Sequence, residues 1–138
     1  MPGYREHFTA GLIVTLIAGA ILIFLGYLDL SIKNLVILLA ISFIFSLLPD
    51  IDIGTSMIRK VFILFFVAFL FIKGLTPLGY LLAIILVAIQ FIHHRGIMHS
   101  IITGILLSGL LYFVNHNWIF PIIAVLNFAS HLILDDEM

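Results

Sequence analysis

Six apolar runs, Thr9–Leu28, Leu35–Leu48, Val61–Ile72, Leu78–Ile92, Ile101–Val114 and Ile119–Leu134, follow one another with only short polar breaks between them. The breaks carry turn and boundary residues: Asp29 to Asn34, Pro49 to Lys60, Lys73 to Pro77, His93 to Ser100 and Asn115 to Asn117. This succession leaves little that could face water. Of 138 residues, 64% are hydrophobic and 9% charged, whereas a soluble domain is about 25% charged and about 45–50% apolar. Mean hydropathy is +1.34. The expected fold is therefore all-α: a polytopic membrane helix bundle of about six transmembrane helices, some of them short, forming a single domain over 1–138.

The first run is long enough to cross a hydrocarbon core of about 30 Å and reads as a retained helix rather than a signal peptide. Runs of about 14 residues cover only about 21 Å. They read as spans whose ends extend into polar flanks; four or five spans with a re-entrant segment is the alternative. Small residues four apart, Thr15 with Gly19 and Gly104 with Ser108, suit close helix contact in lipid. The chain has no cysteine, which excludes disulfides and thiolate metal sites. A net charge of -1 leaves no electrostatic footprint for nucleic acid.

With six spans, the N-terminus, the second and fourth loops and the C-terminus share one side. Arg5, Arg59, Lys60 and Arg95 lie there, against Lys33 and Lys73 opposite, which points that side to the cytoplasm. The same side, or helix ends facing it, receives His7, His93, His94, His99 and His131, leaving His116. It also receives Glu6, Asp50, Asp52, Asp135, Asp136 and Glu137, leaving Asp29. Hydropathy alone thus gathers separate polar segments into one composite site.

Three motifs dominate that site. In LLPDID, Pro49 marks a helix boundary, and Asp50 and Asp52 repel each other unless a cation or protons intervene. In HHRGIMHS, His94 and His99 are candidate ligands, Gly96 is a break that could let them converge, and Ser100 is a cap for the next helix. Arg95 suits phosphate or carboxylate, and His93 reads as a neighbour only. In NFASHLILDD, Asn127, His131 and Asp135 share a helix face, and the last two could ligate one ion. Plainer readings exist for each: a solvated turn, an interfacial loop, and a helix–helix hydrogen bond from His131 to Gln90. His7, before the first run, gains weight only from sharing the side.

The ordered set, an N-terminal His, then PDID, HRGxxHS and HxxxD, resembles the YdjM-type family over essentially the whole chain. That family is described as LexA-binding, inner-membrane-associated, metal-dependent hydrolases. The resemblance implies a membrane protein of the inner (plasma) membrane with a hydrolytic metal site. The motif positions it carries over are His7, Asp50, Asp52, His94, Arg95, His99, His131 and Asp135. Met98 departs from the pattern, standing where relatives often have Thr, and relatives usually continue further past Asp135.

Three histidines and three carboxylates exceed one tetrahedral zinc. They suit two divalent ions sharing a carboxylate, with zinc first and manganese or iron as alternatives. Asp50, Asp52, His94, His99, His131 and Asp135 are those expected ligands, with His7 as a further one, and Arg95 and Asp52 are the expected catalytic residues. The expected reaction is cleavage of a phosphoester, lipid-borne, at the cytoplasmic membrane face. A metal-binding transporter or channel is the alternative from another class, disfavoured because the opposite side offers only Asp29, Lys33, Lys73 and His116. A partner that recruits a soluble regulator rests on the family description alone.

Overall fold

The computed structural model describes residues 3–52, 56–73 and 97–135. Among them the chain is helical throughout: α1 (Tyr4–Phe24), α2 (Ile32–Phe45), α3 (Met57–Lys73), α4 (Ile101–Asn115) and α5 (Ile119–Leu134). Two 3-10 turns, Leu48–Asp52 and Ile97–His99, interrupt the series, and no strand occurs among the described residues. The fourth apolar run, 78–92, lies outside the described residues. Among the described helices, taken singly, only α1, with 21 residues, is long and apolar enough to cross a bilayer; α2, α4 and α5 are apolar but shorter. The all-α class holds, and the count of six spans does not follow from these helices.

Helix ends follow local chemistry. Ser31 opens α2 by accepting the Asn34 N–H at 3.2 Å. Ser100 opens α4 as expected, accepting the Ile102 N–H at 3.3 Å. Asn117 Oδ1 accepts the Ile119 N–H at 2.9 Å at the start of α5. Pro121 is tolerated in the first turn of that helix, where an amide hydrogen would have no intrahelical partner. The α1–α2 turn uses Gly26 at φ 75°, and His116 ends α4 at φ 49°, both left-handed.

Helix α5 is the centre of the bundle and packs on α1, α2 and α4. Its inner face, Phe120, Ile123, Ala124, Phe128 and Leu132, meets Leu28, Leu38, Ile41 and Phe45. Lipid outside is as apolar as the core inside, so close packing rather than water exclusion must hold such helices together. The small residues supply it. A Cβ on Gly104 would sit 2.5 Å from the Phe128 ring, and Gly19 leaves Leu38 just 3.4 Å of room. Thr15 Oγ1 accepts a hydrogen bond from Asn127 Nδ2 at 2.7 Å. The outer faces keep Leu16, Ile17, Phe24, Leu106 and Phe113 well exposed.

Candidate metal centre

The buried residues of α1 are His7, Gly11, Thr15 and Gly19, a single stripe at four-residue spacing. Three of the four are small, so α1 can press its backbone against α2 and α5. The tightest point is Gly11, where a Cβ would lie 2.5 Å from Ser46 Cβ and 2.6 Å from Asn127 Oδ1. One turn towards the N-terminus, that approach delivers His7 into the end of the bundle, where it is 1% exposed.

Asp50 arrives by a different device. Helix α2 stops at Ser46, two residues before the 3-10 turn that carries Pro49. Leu47, just before that turn, and Ile51 within it are buried against Ile58 and Met98. Anchored on both sides, Asp50 turns to the bundle end, with its side chain 15% exposed. His99 closes the second 3-10 turn, immediately before the Ser100 cap, with Met98 buried beside it. His131 and Asp135 come from the last turn and C-cap of α5.

These four residues meet. The ligand atoms of Asp50, His99, His131 and Asp135 all lie within 4.8 Å of one another. His131 Nε2 is 3.2 Å from Asp135 Oδ2 and 3.5 Å from Asp50 Oδ1. His99 Nε2 is 3.8 Å from each of the same two oxygens. Bonds of about 2.0–2.1 Å would place neighbouring ligands of a tetrahedral ion about 3.3 Å apart. The donor spacing therefore suits a cation at the middle of the group.

The protonation pattern adds a second argument. His131 Nδ1 lies 2.7 Å from the Ser46 carbonyl oxygen. A carbonyl can only accept, so Nδ1 carries the hydrogen; a neutral ring then turns its Nε2 lone pair towards two carboxylates, and a charged one donates Nε2–H to them. Among the described residues, Nε2 of His131 and Oδ2 of Asp135 have no hydrogen-bond partner. Buried acceptors facing acceptors are costly unless a proton or a metal ion sits between them. The Ser46 carbonyl then has the usual role of an outer partner that fixes the tautomer and direction of a ligating histidine.

Asp50 titrates below the ordinary carboxylate range. Burial pushes its carboxyl up, but the adjacent His131 imidazole, with the charges of His7 and His99, together outweigh that push.

His7 stands at the edge of the group. Its Nε2 is 3.4 Å from Asp135 Oδ1, and its ring stacks on His131 with centroids 3.8 Å apart and 16° between planes. Asp135 thus divides its oxygens, one towards His7 and one towards His99 and His131. Of the residues expected from sequence, the structure brings together His7, Asp50, His99, His131 and Asp135. Asp52 closes the first 3-10 turn, but its side chain, like His94 and Arg95, lies outside the described residues, as do Gly96 and Gln90. Sequence reasoning missed Gly11 and Ser46. The available signal for Gly11 was its spacing of four from both His7 and Thr15; a backbone carbonyl such as that of Ser46 leaves no signal in residue type.

No curated protein and no solved structure matches the chain. The family model described as YdjM inner membrane protein matches residues 1–136. That match takes in every element of the centre, from His7 on α1 to Asp135 after α5, and the chain belongs to the YdjM inner membrane protein family.

Proposed function

We propose that the chain is a membrane-embedded, metal-dependent hydrolase that cleaves a phosphoester, carried by a lipid, at the cytoplasmic face of the inner membrane. The observation that carries this reading is the convergence of Asp50, His99, His131 and Asp135 on one point at the end of an apolar bundle. A bound divalent ion there would polarise a phosphoryl oxygen and acidify a coordinated water. Zinc suits the mixed imidazole and carboxylate donors best, with manganese or iron next.

The chain's own residues have separable tasks. His131, held by the Ser46 carbonyl, presents Nε2 in a fixed direction. Asp135 is the buried anionic wall, its side chain 1% exposed, whereas Asp50 at 15% is the open side from which a phosphate would enter. The double use of Asp135, with one oxygen on His7 and one on His131, supports a second ion sharing that carboxylate. Asp52 and His94 are the proposed further donors, and Arg95 the proposed clamp on phosphate charge. A count of six spans, part of this proposal, would put all these segments on one side.

A transport role finds less support. Below the centre the polar side chains Ser42, Asn127 and Thr15 continue inwards for two turns, but the described core then closes with Leu38, Ile123 and Phe120, each no more than 5% exposed.

Metal analysis of the purified protein, beside His131→Ala and Asp50→Ala, tests the site. Stoichiometric metal in the wild type and its loss in both variants is the expected outcome; equal, negligible metal in all three would sink it. Release of phosphate from lipid phosphates by the loaded protein tests the reaction. Failure with zinc, manganese and iron alike would remove the hydrolase reading while leaving the site.

A further inference from the structure

Among the described helices, the apolar belt is short in α5 and in the three helices packed on it. At about 1.5 Å per residue, the 14 residues of α2, 15 of α4 and 16 of α5 reach only about 21–24 Å. Helix α1 has 21 residues, but His7 already belongs to the polar centre, and from Phe8 onwards it keeps about 25 Å. Polar residues bound the belt on both sides. The metal centre lies at one edge; Asp29, Ser31 and Asn34, joined by hydrogen bonds, and the His116–Asn117 turn lie at the other. Beside that turn Trp118 stacks on Tyr112 with centroids 4.2 Å apart, an aromatic pair of the kind that settles at headgroup level. Between the edges the outward side chains are apolar, Leu16, Leu39, Leu106 and Ile122 among them, each at least half exposed.

We infer that this belt fits a bilayer several Å thinner than the ordinary hydrocarbon core of about 30 Å, and that lipid thins around the metal centre. Tilting relieves a helix that is too long for its membrane; it shortens one that is already too short. The remaining responses are thinner lipid or polar flanks drawn below the headgroups. With Trp118 and its turn at one interface, the centre lies below the usual level of the opposite one. Headgroup phosphates must descend towards Asp50, the exposed member of the centre. The occupant of the outer face is thus a locally thinned bilayer, and lipid phosphate reaches the centre without leaving its leaflet.

The inference rests on the membrane-embedded part of the proposed function and not on hydrolysis. Its test reads stability and depth, so the two can fail separately. The full chain is reconstituted in monounsaturated phosphatidylcholines with chains of about 14, 16, 18, 20 and 22 carbons, which widen the core in steps of a few Å. Thermal unfolding followed by circular dichroism should have its highest midpoint at the two shortest lengths and fall by about 5 °C or more at the longest. A midpoint that peaks at any longer chain, or that is flat across the series, overturns the inference. Trp118 is the chain's one tryptophan, and brominated analogues of the shortest lipid report its depth. Strongest quenching by bromines near the headgroup supports the fit; strongest quenching near the chain terminus overturns it.

Discussion

The two ends of the bundle are built from the same helices and solve opposite problems. At the far end, α1, α2 and α5 bring together Leu28, Leu38, Phe120 and Ile123. The exits there are capped by Gly26, Ser31 and His116 with their backbone groups satisfied. At the near end the same three helices bring together His7, Ser46, His131 and Asp135, and two 3-10 turns add Asp50 and His99. Consistency of local and global preference marks the first end; buried acceptors facing one another mark the second. A bundle can hold such an arrangement only if packing elsewhere over-determines the helix positions. The far end supplies that packing, and the near end uses it.

If that division is right, mutations should separate cleanly. The largest effect belongs to His131→Ala and Asp135→Ala, which would each remove a proposed ligand and with it most of the metal affinity. Compared with metal-free wild type, Asp135→Ala should unfold no earlier, because one of two facing carboxylates has been taken away, whereas His131→Ala leaves the buried Ser46 carbonyl without its donor and should unfold earlier. Competition with a chromogenic chelator measures the first quantity and denaturant unfolding in detergent the second. A metal-free Asp135→Ala protein that was strongly destabilised would break the comparison.

Next in size is Phe120→Ala at the far end. Truncation of a buried aromatic costs about 3–5 kcal/mol, and Phe120 is 4% exposed. Unfolding should show that loss, while the folded fraction binds metal with wild-type affinity. A drop in affinity without a drop in stability would mean that the ends are not independent.

Gly11→Ala tests the junction between them. The added methyl meets Ser46 Cβ at 2.5 Å, and overpacking of this kind costs about 1–3 kcal/mol. Because α1 carries His7 one turn away, both stability and affinity should fall, the latter about tenfold. Gly19→Ala, where the nearest atom is a Leu38 methyl at 3.4 Å, is the control and should change neither by more than a fraction of that.

The division also explains what the sequence could reveal. Helical class and membrane setting follow from apolar runs that no soluble surface could absorb. The pairing of His131 with Asp135 follows from one turn of helix. The gathering of His7, Asp50, His99 and Asp135 was expected from a count of six spans, and the structure shows the gathering without confirming the count. Three things were not legible. The Ser46 carbonyl that orients His131 is backbone, and any residue there would show the same type of group. The stop of α2 at Ser46, ahead of Pro49, depends on Leu47 and Ile51 finding partners in Ile58 and Met98, a tertiary event. The split of Asp135 between His7 and His131 depends on the 3.8 Å stack of two rings from helices at opposite ends of the chain.

The smallest expected effect is a pH dependence confined to the near end. The Asp50 carboxyl is held below its usual range because His131, His7 and His99 outweigh its burial. An unfolded aspartate has a pKa of about 3.9. The unfolded chain therefore takes up this proton before the folded one as pH falls, so the contribution of Asp50 is complete above that range. It is lost progressively as pH drops through the lower folded value. Metal-free protein should thus show a decline in stability at acid pH that Asp50→Asn makes shallower, with wild type the more stable near neutrality and the two converging at the acid limit. The side chain keeps some contact with solvent, so the change should be modest. Bound metal should deepen it, since protons and the cation compete for the same oxygen. If Asp50→Asn and wild type lost stability in parallel down to the acid limit, the near end would not be coupled through Asp50. The carboxyl would then be only a solvated turn residue beside a histidine pair.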